Sequence, residues 1–378
     1  MSAPIRILVV DDSAVFRMVL GRVIGRTAGM ELVGVASDGR EAIEAARRLD
    51  PDVVTLDVEM PELDGLATLR VLLGERPTRV VMLSRATRAG AEVTMDALQA
   101  GAIDAIAKPD TAWGNGPNPF VDDLLAKIRA AALVPRTRAL ATPTRRSASL
   151  ERRGIIRPPA GRLGRTGRRA RGLVVVAAST GGPRALDTLL SRLPGDLGSG
   201  VVVVQHMLTG FTAALAERLD RLGPLPVHEA SSGIQLVDGL VLVAPGDRHL
   251  LVDGTGHVTL DDSPRISGLR PAADVTLLAA APVWGPRLLS VVLTGMGRDG
   301  TAGALATSAN GGAVIAQDEA TAAVYGMPRA VAESGVADRI LPLDEIAAAI
   351  VEWTGSIGED WSPGADQALQ KTAVPADT

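Results

Sequence analysis

Short apolar runs, each closed by a polar residue and separated by amphipathic stretches, constrain this chain more than any other feature. Ile5–Val10, Glu31–Val35, Asp52–Leu56, Arg79–Leu83 and Ile103–Ala107 read as strands of five or six residues. Segments with helical spacing lie between them and after the last, through about Val121–Leu133. A second series begins at Leu173. It has runs at Leu173–Ala177, Val201–Gln205, Leu240–Ala244, Leu288–Thr294 and Ala313–Ala316, with a further strand expected at Pro226–Glu229. Strand-helix alternation of this kind predicts α/β architecture: a five-unit doubly wound parallel sheet first, then a mostly parallel one.

The two series are split by a change in composition. Residues 135–171 hold twelve Arg and one acid, Glu151, so this stretch carries +11. The chain as a whole is at -4, which leaves -4 - 11 = -15 for the remainder. The stretch is also rich in Pro and Gly and has no apolar period. It reads as a flexible linker between two acidic halves. Binding of nucleic acid or an anionic surface is the alternative, but no aromatics are interleaved for base stacking. The expected organisation is 4–134, a linker at 135–171, a second domain at 172–354, and a frayed tail at 355–378. A length of 378 residues suits two or three domains at roughly 150 residues each. There are no cysteines, which excludes disulfides, thiol nucleophiles and Cys-ligated zinc. No apolar run approaches the roughly 18 residues that span a bilayer, and the N-terminus does not read as a secretory signal. The default expectation is a soluble cytoplasmic protein.

In this architecture, sites form beyond the carboxyl ends of the strands. In the first half those positions hold Asp11 and Asp12, Asp57, Ser84 and Lys108. Ser13 and Asp38-Gly39-Arg40-Glu41 are helix-start signals. Crowded carboxylates repel, and a hard divalent cation such as magnesium relieves that. Only three of 39 basic residues are Lys, so a Lys directly before Pro109 suggests a need for a compact point charge. Each residue alone reads better as a strand-end cap or surface charge; five at matching strand ends do not.

In the second half Ser179, His206 and Asp299 follow strand ends. A serine hydroxyl needs a base, and histidine is the base available near neutral pH. A carboxylate can fix the imidazole tautomer. Of four histidines only His206 directly follows a fully apolar strand. His228 falls within a strand, His249 follows Pro245-Gly246-Asp247-Arg248, and His257 sits in a Gly-rich turn. Ser179 also precedes a helix start, whose free N–H groups can stabilise an oxyanion. Two other readings stay open on the residues alone. Ser179-Thr180-Gly181-Gly182 could cradle a phosphate, and Asp299 between glycines could be a turn residue.

The motifs carry a resemblance. Asp11-Asp12, Asp57 followed by Met60-Pro61 and Asp64-Gly65, Ser84, and Lys108-Pro109 make residues 5–133 similar to a response-regulator receiver domain. That resemblance implies phosphorylation of Asp57 by a histidine kinase. It implies magnesium on Asp11, Asp12, Asp57 and the Glu59 backbone carbonyl, with Ser84 and Lys108 as switch residues contacting the phosphoryl group. The switch position three before the Lys, usually aromatic, is Ala105.

Residues 173–353 resemble the catalytic domain of the CheB family of chemotaxis protein-glutamate methylesterases and protein-glutamine glutaminases. The matching stretches are Ala178-Ser179-Thr180-Gly181-Gly182, Gln205-His206-Met207, Ala244-Pro245-Gly246-Asp247, Leu293-Thr294-Gly295-Met296-Gly297, Asp299-Gly300 and Gly326-Met327-Pro328-Arg329. This implies Ser179 as nucleophile, His206 as base and Asp299 as its orienting acid. Thr180 would position the histidine, and the Met296 N–H would help form an oxyanion hole. No cofactor is expected in this half. The implied partners are a phosphodonor kinase of the CheA type and the cytoplasmic helices of methyl-accepting chemoreceptors; no nucleic acid and no membrane insertion are expected. Two rivals are weighed. A DNA-binding regulator would leave the second α/β series unexplained. A non-catalytic interaction module on the same fold would be unaffected by loss of Ser179.

Overall fold

In the computed structural model, which describes residues 3–85, 87–109, 119–136, 168–207 and 209–357, the strands form two separate parallel sheets and one small hairpin. The first half runs β1 (Ile5–Val10), α1 (Ala14–Arg26), β2 (Met30–Ala36), α2 (Gly39–Leu49), β3 (Val53–Asp57), α3 (Gly65–Glu75), β4 (Val80–Arg85), α4 (Arg88–Ala100), β5 (Asp104–Lys108) and α5 (Pro119–Leu133). Strand order is β2-β1-β3-β4-β5, all parallel. The order reverses between β1 and β3, which opens a crevice at their carboxyl ends. The helix starts follow the sequence signals. Ser13 Oγ accepts from Phe16 N–H at 3.3 Å, and Asp38 accepts from the Arg40 and Glu41 N–H groups at 2.9 Å each. Glu41 reaches back to the Ser37 N–H at 2.7 Å, one residue before the cap.

The second half runs β6 (Leu173–Ala178), α6 (Gly182–Leu190), β7 (Gly200–Gln205), α7 (Phe211–Leu222), β8 (Val227–Glu229), β9 (Val241–Val243), β10 (His249–Val252), β11 (Val258–Asp261), α8 (Ala273–Trp284), β12 (Leu288–Val292), α9 (Thr301–Ala309), β13 (Ala313–Gln317), α10 (Met327–Glu333), β14 (Arg339–Leu341) and α11 (Leu343–Ser356). The large sheet has the order β14-β13-β12-β6-β7-β9-β8, with parallel pairing throughout. Alternation along β6 feeds two cores. Val174, Val176 and Ala178 pack with residues of α6, α7 and α11, whereas Val175 and Ala177 pack with residues of α8, α9 and α10. The reversal of order lies between β6 and β12, where this architecture places its binding crevice. His249 opens β10 and is fully buried, a placement its sequence position after Arg248 did not suggest.

The two halves touch. Helix α4 packs against α6 and α7, with Arg88 paired to Glu217 at 3.3 Å and Arg218 donating to Gln99 Oε1 at 3.3 Å. Val324 of the second half is buried with Phe120 and Leu124 of the first. Of the linker expected at 135–171, residues 137–167 lie outside the described residues. Its ends are anchored. Arg136 pairs with Asp50 at 2.9 Å, Arg169 bridges to Val237, and the Arg171 N–H donates to Asp238 at 3.0 Å. Helix α11 extends to Ser356, and of the expected tail 358–378 lie outside the described residues.

Candidate active site

At the carboxyl ends of β1 and β3, Asp11, Asp12 and Asp57 bring carboxylate oxygens within 4.8 Å of one another. Lys108, from the end of β5, reaches into this cluster. Its ammonium lies 2.7 Å from Asp11 Oδ2 and 2.5 Å from Asp57 Oδ2, over the Phe16 ring at 4.8 Å from the centroid. Burial pushes the Asp57 carboxyl up to about 6, against the pull of Lys108; Asp11 adds to the rise. One ammonium among three carboxylates leaves uncompensated negative charge. That donor set suits a hard, oxygen-preferring dication. The Glu59 N–H donates to Asp57 Oδ1 at 3.3 Å, which places the Glu59 backbone beside the cluster. Ser84 is fully buried, and its hydroxyl donates to Gly90 O at 3.2 Å. A groove lined by Asp12, Val58, Glu59, Met60, Pro61, Asp64 and Val93 opens alongside.

Ser179 and His206 end neighbouring strands. In the β6–β7 register Ala178 faces Gln205, which sets Ser179 beside His206, and the His206 N–H donates to Ala178 O at 3.0 Å. Gln205 ties the two residues together, because its side-chain amide donates to Ser179 O at 2.9 Å and to His206 O at 3.2 Å. Asp299, in the turn between β12 and α9, completes the group. His206 Nε2 lies 2.6 Å from Asp299 Oδ2. The same carboxylate accepts the Ala273 N–H at 2.6 Å and the Asp274 N–H at 2.9 Å, at the start of α8. Burial alone would raise the Asp299 carboxyl; the His206 hydrogen bond and charge, with the two N–H groups, hold it below its ordinary value. A carboxylate only accepts, so Nε2 is the nitrogen that donates to Asp299, and Nδ1 is the one left outside that bond.

The serine is seated by a close backbone approach. The Ser179 N–H donates to Thr294 O at 3.0 Å, and a Cβ on Gly295 would lie 2.7 Å from Ser179 Cβ. Gly181, at φ +78°, supplies the left-handed turn into α6. Met296 is the next residue after this approach and is exposed; among the described residues its N–H has no acceptor. Thr180 is placed differently from the expectation that it positions His206. Its hydroxyl donates to Asp104 Oδ2 of the first half, at 2.6 Å. Asp104 in turn accepts from Lys127 at 2.8 Å. Asp123 of α5 lies near enough to His206 and Arg265 that their charge acts on its carboxyl. Asp104, Asp123 and Gln205 were not singled out as site residues from sequence. Only the Gln205-His206-Met207 match touched one of them.

These two sites, in two α/β halves packed together, define a two-domain response regulator with an α/β output domain. The comparisons agree. Residues 7–112 match the family model "Response regulator receiver domain", and residues 174–350 match "CheB methylesterase". A protein-glutamate methylesterase/protein-glutamine glutaminase of Symbiobacterium thermophilum is 48% identical over 360 residues, covering 94% of this chain and 98% of that protein. The protein of the same name from Thermotoga maritima is 43% identical over 353 residues, covering 92% and 98%. The crystal structure of the Thermotoga maritima CheB methylesterase catalytic domain is 46% identical, with a TM-score of 0.47, over 48% of this chain and 97% of that one. The chain belongs to the CheB methylesterase family.

Proposed function

We propose that this protein is a phosphorylation-activated protein-glutamate methylesterase and protein-glutamine glutaminase acting on chemoreceptors in the cytoplasm. The observation that carries the reading is Ser179 beside His206 at adjacent strand ends, with His206 held on Asp299. His206 Nδ1 removes the Ser179 hydroxyl proton as Oγ attacks the γ-carbonyl of a glutamyl methyl ester. The C=O electron pair moves to oxygen, where the Met296 N–H stabilises it. The tetrahedral intermediate collapses with cleavage of the C–OCH3 bond. His206 returns the proton to methoxide, and methanol leaves. Water repeats the sequence on the acyl-enzyme, giving glutamate and free Ser179. A glutamine amide follows the same route and releases ammonia. Asp299 holds the imidazole tautomer and stabilises the imidazolium without taking its proton.

The receiver, residues 4–134, controls access, and 135–171 join it to the catalytic span 172–354. Asp57 accepts a phosphoryl group from a histidine kinase of the CheA type, with Lys108 and Ser84 contacting its oxygens. Asp11, Asp12, Asp57 and the Glu59 carbonyl would hold magnesium, which neutralises charge on the phosphoryl oxygens. In the docked arrangement the receiver covers the edge where Ser179 and His206 lie, and Asp104 holds Thr180. Release of that face admits a receptor helix and frees Thr180 for its expected role beside His206. The test incubates the protein with methylated, glutamine-bearing receptor and measures methanol and ammonia. Both are expected from the wild type and neither from Ser179→Ala; full activity in Ser179→Ala would overturn the assignment.

A further inference from the structure

The support behind Asp299 runs deeper into the domain than the Ser-His-Asp group. Asp299 takes its two backbone hydrogen bonds from the first residues of α8, whose N-cap is Ala272. Alanine has no side chain to cap a helix, so nothing local fixes where α8 begins. Besides Asp299, two further groups anchor that start. The first is His249, fully buried at the start of β10. Its Nδ1 accepts the Ala272 N–H at 3.2 Å, and its Nε2 donates to Pro264 O at 3.3 Å. Both ring nitrogens are thereby used, in the neutral tautomer. Asp261 stands opposite across the β10–β11 hairpin. One turn on, Thr276 donates its hydroxyl to Leu250 O at 2.7 Å, binding α8 to the same strand.

The second group is Asp274. The N-cap of helix α9 is Gly300, which also brings no side-chain cap. Asp274 Oδ1 accepts the Gly303 N–H at 2.8 Å. The capping is therefore reciprocal: Asp299, one residue before the α9 N-cap, caps α8, and Asp274, in the first turn of α8, caps α9. Shifting either helix start moves the carboxylate that holds His206.

We propose that His249 and Asp274 are positioning residues of the hydrolase site, acting through Asp299 on His206. His249 fixes the register in which α8 presents the Ala273 and Asp274 N–H groups, and Asp274 ties the turn carrying Asp299 to that helix. The proposal rests on the esterase reading for its kinetic consequence and on geometry alone for the rest. The charge of His206 also acts on Asp123 of the receiver, so the comparison is made on the full chain activated with acetyl phosphate and magnesium.

The test uses an isosteric pair, His249→Asn and His249→Leu. An Asn Oδ1 occupies the place of Nδ1 and still accepts the Ala272 N–H; a Leu of similar size cannot. Methanol release is measured alongside the downfield imidazole proton shared by His206 and Asp299, in protein labelled with nitrogen-15 histidine. In His249→Leu kcat is expected to fall about 10²-fold with KM little changed, and the shared proton resonance to disappear. His249→Asn is expected to keep the resonance and most of kcat. Equal effects in the two variants, or an unchanged resonance in His249→Leu, would overturn the proposal, since packing alone does not distinguish them. Should His249→Leu not fold, Asp274→Ala against Asp274→Asn asks the same question through Gly303. The resonance needs no substrate: a wild type without methanol release would refute the esterase reading, while the resonance would still decide for or against His249.

Discussion

Thr180, the residue after the candidate nucleophile, donates its hydroxyl to Asp104 of the receiver across 2.6 Å, and both side chains are buried. Asp104 opens β5, and Lys108 closes it. One strand of roughly 13 Å therefore touches Thr180 at one end and the Asp57 cluster at the other. Ala105, where an aromatic switch was expected to be missing, follows Asp104 directly and packs on the apolar cluster that includes Met207 of the catalytic half. The two sites are joined by β5 itself, with Asp104 also held by Lys127 of α5.

This contact predicts a de-repressed variant. Asp104→Ala removes a buried, charge-assisted hydrogen bond of about 1.5–3 kcal/mol, enough to shift the docked population roughly tenfold or more. Basal methanol release without acetyl phosphate should rise, while the fully activated rate stays near wild type. An unchanged basal rate would show that Asp104 does not hold the domains together.

Loss of the catalytic group should be graded. Ser179→Ala and His206→Ala each remove the reacting atoms and should leave no measurable esterase activity. Asp299→Ala leaves a base that is less well held, and kcat should fall about 10⁴-fold with a measurable residue. Steady-state rates on methylated receptor separate these outcomes; Asp299→Ala as inert as Ser179→Ala would contradict the division of roles.

The approach of the chain at Gly295 should be intolerant. A Cβ there would lie 2.7 Å from Ser179 Cβ, closer than real side chains come. Gly295→Ala should lower kcat by one to two orders of magnitude, as roughly expected for a displaced reacting group. It should also lower the melting temperature. Wild-type kinetics in Gly295→Ala would show that the nucleophile does not depend on this contact.

Domain docking should depend on pH through Asp123. Burial pushes its carboxyl up; Lys127, His206 and Arg265 pull the other way, and Asp104 adds to the rise. A carboxyl raised on docking binds protons, so its contribution to docking is present below the ordinary Asp range and is lost as pH rises through the raised value. Energy transfer between dyes on the two domains should accordingly report looser docking at higher pH, and Asp123→Asn should flatten that dependence. A dependence of opposite sign would show that docking does not raise the Asp123 carboxyl.

The readable part of this molecule was what lies close in sequence. Apolar strands that end on Asp11, Asp57, Ser84, Lys108, Ser179 and His206 announce both the sheets and the sites, because parallel sheets bury both faces and leave polarity to their carboxyl ends. Long-range pairings were not readable. Asp104 looks like any strand-opening acid until Thr180, 76 residues on, is seen against it. His249 looks like a loop residue because a strand of four residues is too short to give a period. The start of α8 carried no cap signal, since its cap is Asp299, 26 residues away from Ala273. β14, mostly exposed at a sheet edge, has no apolar run to reveal it.

The most direct test of a receiver-controlled methylesterase is methanol release from methylated receptor by the full chain, with and without acetyl phosphate and magnesium, in wild type and Asp57→Ala. The account predicts a low basal rate that acetyl phosphate raises in the wild type and leaves unchanged in Asp57→Ala. Equal rates in all four conditions, or stimulation that survives in Asp57→Ala, would contradict it.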